Sequence, residues 1–284
     1  MADGAPSNLN SLEARLRNHC EAAAISFGPV RRHVAALVVA QMLVDSHTVV
    51  KGGRSLEIRY GIAATRASTD LDAVRTHRLD DLIGHLEQAL DEGWAGFSGR
   101  VIDKGVIEAP VPSAYRPHRL DVKLSFQGRS FGTVQLEVAV EEAGGLAGTE
   151  AITSAEGAAI FAAVGLPEPD PVPVLPLPTQ VAQKLHACTA PDTDEWINDR
   201  AHDLVDLQLI RRDLPDGQMA QVREACERLF AARQMHPWPP HVTARTGWAL
   251  RYAREREGVE ADVTEDIDAA VEWANRLIEQ IVSA

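Results

Sequence analysis

The chain contains the stretch Val49-Val50-Lys51-Gly52-Gly53-Arg54-Ser55, a short β-branched run that stops at two glycines. Glycines after a strand allow a tight turn and a close approach of the backbone to a ligand, because they carry no Cβ. A helix that starts near Ser55 would direct its free N–H groups and its positive dipole end at this turn. The stretch therefore predicts a strand, a glycine turn and a helix start that suit a phosphate group.

A pair of aspartates, Asp70 and Asp72, follows fifteen residues after Ser55. We place both on a strand at 69–74, where residues two apart point to the same face of a sheet. Two neighbouring carboxylates repel each other unless a cation lies between them, so the pair predicts a site for Mg²⁺. A phosphate-binding turn beside metal-binding carboxylates is the minimum that phosphoryl or nucleotidyl transfer requires.

The composition is that of an ordinary globular protein, with 284 residues, 45% hydrophobic and 24% charged. The formal net charge of −13 argues against broad, non-specific coating of nucleic acid. It permits an enzyme that engages one nucleic-acid end through a local patch, and it suits a basic protein partner. The three cysteines are widely spaced and form no C-x-x-C motif, which indicates a reducing compartment.

No targeting segment or membrane partner is expected. The longest apolar run, Val34 to Val44, is too short to span a bilayer. The N-terminus lacks a basic region followed by an apolar block, so no signal peptide is predicted. We therefore expect a cytoplasmic protein that does not contact a membrane.

The first part of the chain mixes predicted helices with predicted strands. Helices are expected at about 11–23, with Ser11 as the cap, and at 29–45, 55–60 and 79–92. Strands are expected at 48–51, 69–74, 100–108, 118–126 and 131–140, the last two forming a hairpin around 127–130. Residues 141–166 are rich in alanine and glycine and show no clear periodicity.

The second part of the chain is predicted to be helical throughout. Six prolines between Pro167 and Pro178 indicate an extended hinge. Helices are then expected at 179–190, 197–212, 216–233, 241–257 and 264–283. The predicted class is α/β, with a mixed α/β domain at 1–166, a proline-rich connector at 167–178 and a helical domain at 179–284.

Glu137 is a candidate third carboxylate beside Asp70 and Asp72. In the strand at 131–140, Val134, Leu136, Val138 and Val140 share one face, so Glu137 lies on the opposite face. The alternative is an ordinary strand glutamate that faces solvent.

A second cluster of charged residues lies in the helical part. On a helix Asp199, Asp203 and Asp206 fall at positions i, i+4 and i+7, which forms an acidic stripe. Lys184 lies on the preceding helix and can pair with that stripe, and both can face a triphosphate and its metal. The alternative is an ordinary ion pair between helices. His186 and His202 lie close by, and packed or surface histidines are commoner than catalytic ones.

Taken together, these motifs resemble the AbiEii/AbiGii toxin family, which includes the MenT-type nucleotidyltransferases. The matching segments, in order along the chain, are Gly52-Gly53-Arg54-Ser55, Arg66-Ala67-Ser68-Thr69-Asp70-Leu71-Asp72, Lys184-Leu185-His186-Ala187 and Arg200-Ala201-His202-Asp203-Leu204-Val205-Asp206-Leu207. They lie within about residues 45 to 210. Two departures stand out, because His202 replaces a common lysine and Glu137 replaces a common aspartate.

The resemblance implies a nucleotidyltransferase-fold α/β half and a metal-dependent activity of the EC 2.7.7 type. Characterised members use a nucleoside triphosphate (NTP) and Mg²⁺ (or Mn²⁺) to add nucleotides to the 3′ end of tRNA, which stops translation and growth. They belong to toxin–antitoxin or phage-defence systems, so a cognate AbiEi-type antitoxin is implied as a partner.

The resemblance also implies roles for individual residues. Gly52, Gly53 and Ser55 would hold the phosphates. Asp70 and Asp72, together with Glu137, would hold the metal ions. Lys184 would bind the triphosphate, and either Asp203 or Asp206 would support that lysine or the active site. Arg66 is a second cation available to phosphate oxygens, whereas Arg54 reads equally well as an exposed turn residue.

Two other functions remain open from the sequence. The same chemistry could act on a protein or small-molecule acceptor, which the acidic balance favours slightly. A non-catalytic chain could instead keep the fold and act only by binding a partner. The two aspartates, the glycine turn and Lys184 argue together against this last reading, because adjacent unpaired carboxylates have no evident purpose without a metal.

Overall fold

A mixed sheet forms the centre of the first half of the molecule. The computed structural model describes residues 4–108, 111–194 and 196–284. Within these ranges the sheet has seven strands in the order β3-β4-β5-β2-β1-β7-β6. The strands are β1 (Thr48–Lys51), β2 (Leu71–Arg75), β3 (Phe97–Val106), β4 (His118–Phe126), β5 (Arg129–Val140), β6 (Glu150–Ile152) and β7 (Val172–Val174). The neighbours β2 and β5 are parallel, as are β1 and β7, and the other pairs are antiparallel.

Helices cover the sheet and share its hydrophobic core. They are α1 (Leu9–Ala23), α2 (Phe27–Met42), α3 (Gly52–Tyr60), α4 (Leu79–Glu92) and α5 (Ala155–Val164). The expected cap of the first helix is wrong, because Asn8 is the N-cap and its Oδ1 accepts a hydrogen bond from the Ser11 amide at 3.0 Å. The third helix begins at Gly52 rather than at Ser55, so the glycine turn is itself the helix start.

The second half is helical, as predicted. It consists of α6 (Leu177–Thr189), α7 (His202–Asp213), α8 (Met219–Arg233), α9 (Trp248–Arg256) and α10 (Ile267–Ser283). These helices form a second core around the fully buried rings of Trp248 and Tyr252. Leu56 of α3 is part of this core, so the two halves pack directly against each other.

The start of α7 differs from the prediction for a clear physical reason. Asn198 is fully buried, and its side-chain amide donates to the carbonyls of Ala187 and Ala190 at 2.9 and 2.8 Å. Asn198 therefore closes the end of α6 instead of extending α7. Asp199 consequently lies outside the helix and pairs with Arg251 at 3.3 Å, so the expected acidic stripe is reduced to Asp203 and Asp206.

Regular structure also occurs in 141–166, which the sequence left open, and in the predicted extended connector, where α6 already begins at Leu177. The strand β6 and the helix α5 lie within 141–166, and Ser154 caps α5 by accepting from the Gly157 amide at 3.1 Å. The proline-rich connector contains β7, which pairs with β1 at Val50 and Val174. The connector is therefore attached to the sheet. Across the described ranges, none of the helices is both long enough and apolar enough to cross a membrane.

Candidate active site

The glycine turn brings a helix start against the second aspartate of the D-x-D motif. Gly52 has a φ of +66°, which favours glycine. A Cβ at Gly52 would clash with the Asp72 carboxylate and would lie 3.1 Å from its Cγ and 3.2 Å from its Cβ. The Asp72 side chain therefore packs at the N-terminal end of α3, where the helix dipole favours negative charge.

The predicted metal carboxylates come from two adjacent strands. Asp72 on β2 lies directly beside Glu137 on β5 in the parallel register and opposite Lys51 on β1. Asp70 immediately precedes β2, because the strand begins at Leu71 rather than at 69. Burial raises the pKa of Asp70, and the charge of Asp72 raises it further. Burial, followed by the charges of Asp72 and Asp70, raises the pKa of Glu137 to about 7.

These three carboxylates fit a divalent cation in their chemistry. Oxygen ligands are what Mg²⁺ and Mn²⁺ prefer, and carboxylates that repel one another gain from a cation between them. Within the part of the chain that the structure describes, no group of three or more acidic, histidine or cysteine side chains converges into a ready-made metal cluster. Asp72 and Glu137, joined by their strand register, are thus the nucleus of the proposed site.

A buried ion pair fixes the segment that precedes Asp70. Glu57 Oε1 accepts from the Ser68 amide at 2.6 Å, and Arg54 donates to the Ser68 carbonyl at 2.8 Å. Arg54 also pairs with Glu57, and His33 Nδ1 lies 3.4 Å from the same carboxylate. The expectation that Arg54 is an exposed turn residue is wrong, since only 2% of it is exposed.

Ser55 connects the two halves of the protein. Its hydroxyl lies 2.8 Å from the Gly52 carbonyl oxygen and 3.0 Å from Gln180 Oε1 on α6. The residue is fully buried. Gly53 is similarly enclosed, because a Cβ there would lie 3.2 Å from the Arg66 guanidinium and 3.3 Å from Ser68. The predicted phosphate contacts of Gly53 and Ser55 would thus require the helix start to be uncovered.

Lys184, Asp203 and Asp206 belong to one buried network of charges. Lys184 Nζ lies 3.1 Å from Asp203 Oδ1 and 2.5 Å from Asp206 Oδ2. Arg66 donates twice to Asp206, each time at 2.9 Å, and Arg200 Nε donates to Asp203 at 2.7 Å. The sequence predicted the pairing between the two helices, but it placed Arg66 at a phosphate and not at Asp206.

The network holds its aspartates in the charged form. Burial acts to raise the pKa of Asp203, but Arg200 and Lys184 hold it well below its usual range. Burial also acts to raise the pKa of Asp206, but the charges of Arg66 and Lys184 lower it overall. Burial lowers the pKa of His202 to about 3 and that of His186 to about 2, so neither ring is suited to accept a proton near neutral pH.

A cleft of about 280 Å³ lies between the two halves. Four of the predicted site residues line it, namely Gly52, Asp72, Glu137 and Lys184. The other candidates are not among the lining residues of the described structure, namely Gly53, Ser55, Arg66, Asp70, Asp203 and Asp206. Arg233 of α8 bridges the edge of the cleft, with donor–acceptor distances of 2.9 and 2.5 Å to the Glu142 carboxylate.

Comparison with known proteins identifies the family. The family model described as "Nucleotidyl transferase AbiEii toxin, Type IV TA system" matches residues 36–276. The chain belongs to the AbiEii family. MenT4, a nucleotidyltransferase toxin from Mycobacterium tuberculosis H37Rv, has a similar structure, with 19% identity, a TM-score of 0.50 and coverage of 95% of this chain and 98% of that one. No curated protein sequence gave a match.

A second similar structure is JHP933 from Helicobacter pylori, with 16% identity, a TM-score of 0.48 and coverage of 91% of this chain and 93% of that one. The predicted class is confirmed, since this AbiEii chain combines a mixed sheet with a helical half. Membership makes the chain a nucleotidyltransferase toxin of a type IV toxin–antitoxin system, with an NTP as substrate and an antitoxin as partner.

Sequence reasoning gave no role to several residues of this AbiEii cleft. Lys51, Arg200, Arg233 and Glu142 all line it. Lys51 precedes the glycine pair directly, so its place at the end of a strand could have drawn attention to it. Burial lowers the pKa of Lys51, while Asp72 and Glu142 oppose that shift. Glu142 and Arg233 gave no such signal, because 91 residues separate them.

Proposed function

We propose that this AbiEii toxin transfers a nucleoside monophosphate from an NTP to the 3′ end of tRNA and thereby blocks translation and growth. The observation that supports this most is the position of Asp72. Its carboxylate packs against the start of α3, lies beside Glu137, and faces a cleft lined with cations. This arrangement suits an NTP–metal complex better than it suits a purely structural pair of acids.

The reaction is an in-line attack by the terminal ribose hydroxyl of the tRNA on the α-phosphate. A bond forms between that oxygen and the α-phosphorus, and the bond to the bridging oxygen breaks, so that pyrophosphate leaves. A divalent cation, Mg²⁺ or Mn²⁺, held by Asp72, Glu137 and Asp70 would neutralise developing charge and lower the pKa of the hydroxyl. The buried pair of Arg54 and Glu57 helps to position Asp70 by holding Ser68.

The partners follow from the same proposal. The tRNA acceptor end enters the cleft from solvent, and a cognate AbiEi-type antitoxin, from a toxin–antitoxin or phage-defence operon, opposes the activity. The toxin would encounter the tRNA and the antitoxin in the bacterial cytoplasm. The net charge of −13 favours one competing assignment, in which the acceptor is a protein or a small molecule instead of tRNA.

The test is to incubate the protein with each α-³²P-labelled NTP, Mg²⁺ and total bacterial tRNA, and to resolve the products on a denaturing gel. We expect one nucleotide to label tRNA, and we expect both Asp70→Asn and Asp72→Asn to abolish the label, Asp70→Asn without lowering the melting temperature. Loss of one carboxylate from a repelling set relieves charge repulsion, so the fold should not suffer.

Asp121→Asn is the matched control, because Asp121 lies on β4 of the same sheet, outside the cleft lining. This variant should label tRNA like the wild type. Label on protein or on a small molecule would favour the competing acceptor. Absence of any label in the wild type, or full activity of Asp72→Asn, would contradict the proposed chemistry.

A further inference from the structure

The cations that line the cleft differ in how their charges are balanced. Among the described residues, the lysines and arginines in the lining are Lys51, Lys184, Arg200 and Arg233. Arg233 is paired with Glu142, and Arg200 is paired with Asp203 at 2.7 Å. Lys184 contacts two carboxylates, Asp203 and Asp206, and only 6% of it is exposed. These three positive charges are therefore neutralised before any ligand arrives.

Lys51 is different. Its ammonium has no aspartate or glutamate oxygen within 4.0 Å in the ranges that the structure covers. The residue ends β1, lies opposite Asp72 in the sheet, and is followed directly by Gly52 at the start of α3. An ammonium held partly buried without a carboxylate costs free energy, and a bound anion would offset that cost. Among the described cations of the lining, Lys51 is therefore the one that an anion can approach without displacing a carboxylate.

A triphosphate has little to gain from Lys184 in this arrangement. To reach a phosphate, the Lys184 ammonium would leave two aspartates that then remain buried without it. The phosphate would also come close to those same carboxylates, and like charges repel. At Lys51 the neighbouring carboxylate is Asp72, which a metal ion of the NTP complex would neutralise.

We propose that Lys51 is the main cationic ligand of the triphosphate in this cleft, and that Lys184 is chiefly a structural partner of Asp203 and Asp206. The inference rests on the proposed function, because it assigns the phosphate-binding residue of the same site. It also reverses the role that the sequence motif suggests for Lys184.

The test is titration calorimetry at low ionic strength and in the presence of Mg²⁺, with inorganic triphosphate and with a non-hydrolysable NTP analogue. The variants are Lys51→Met, Lys51→Arg and Lys184→Met, and each melting temperature is recorded. Lys51→Met should weaken binding of both probes at least tenfold at an unchanged melting temperature, and Lys51→Arg should recover most of the affinity. Lys184→Met should lower the melting temperature clearly and change affinity less than threefold.

If Lys184→Met is too unstable to titrate, Arg200→Met replaces it as the paired cation, with the same expectation for affinity. Wild-type affinity in Lys51→Met, or a tenfold loss in a Lys184→Met protein that melts like the wild type, would overturn the inference. Binding through Lys51 without any transfer to RNA would contradict the proposed function alone. A wild-type protein that binds neither probe would overturn both.

Discussion

Gly52 shows how one missing side chain shapes this site. Its positive φ and its contact with Asp72 both depend on the absence of a Cβ. Gly128, in the hairpin turn between β4 and β5, has a comparable φ of +76° but no heavy atom within 4 Å of the place where a Cβ would stand. A substitution at Gly128 therefore measures the cost of backbone strain alone, whereas one at Gly52 measures that cost together with the clash with Asp72.

We expect Gly52→Ala and Gly128→Ala each to lose about 1–2 kcal/mol of unfolding free energy through the left-handed backbone. Gly52→Ala should in addition lose transferase activity at least tenfold, because the new methyl group displaces the Asp72 carboxylate. Urea unfolding and tRNA labelling measure the two effects. Equal activity in both variants would show that the position of Asp72 tolerates the displacement.

The sequence predicted those site residues that lie close together along the chain. The glycine pair and the D-x-D motif lie within twenty-one residues, and their order predicted the turn beside the carboxylate. The burial of Arg54 could not be foreseen, because it depends on Glu57 and the folded-back Ser68. Ser55 contacts Gln180, which is 125 residues away in sequence. A local sequence pattern cannot predict such a contact.

Among the elements, α7 connects the two halves through buried charges. It carries Asp203 and Asp206, which connect it to Lys184 on α6 and to Arg66 in the segment after α3. Helical spacing predicted that α6 and α7 would pair through charges. The observed start of α7 depends on Asn198, whose side chain caps the end of α6. Hydrophobic periodicity does not predict this cap.

Asp206→Asn should lower the unfolding free energy by about 3–5 kcal/mol, because it removes the charged carboxylate to which Arg66 donates twice and leaves Lys184 with Asp203 alone. The control is Asp216→Asn, which breaks an ion pair with Arg211 at a carboxylate whose side chain is 87% exposed. That change should cost less than about 1 kcal/mol. Chemical denaturation of the two variants compares them directly, and similar losses would refute the structural role of the network.

Across the whole molecule, buried ionisable groups set how stability changes with pH. His202 has a pKa lowered to about 3 by burial, against about 6.5 in an unfolded chain. Below pH 6.5 the unfolded state therefore binds a proton that the folded state does not, and stability falls as pH falls. Glu137, whose pKa is raised to about 7, acts in the opposite direction over the same range.

A comparison of the wild type with His202→Gln distinguishes the contribution of His202 to the pH dependence of stability from that of Glu137. The difference in unfolding free energy between the wild type and this variant should be constant above pH 7. Below about pH 6.5 it should shift in favour of the variant by up to about 1.4 kcal/mol per pH unit. The exposed His241→Gln variant is the control for the substitution itself. A difference that does not change between pH 7.5 and 5 would show that folding does not lower the pKa of His202.

The way the cleft is assembled also has a consequence for when the protein becomes active during its synthesis. Its two walls come from β1, β2 and β5 on one side and from α6 and α8 on the other. A ribosome adds about 5–20 residues per second, so Asp70, Asp72 and Glu137 are synthesised seconds before Lys184 and Arg233. A nascent chain therefore carries the carboxylates without the opposite wall. We therefore expect no nucleotide transfer by a chain whose synthesis stops before α6 and α8.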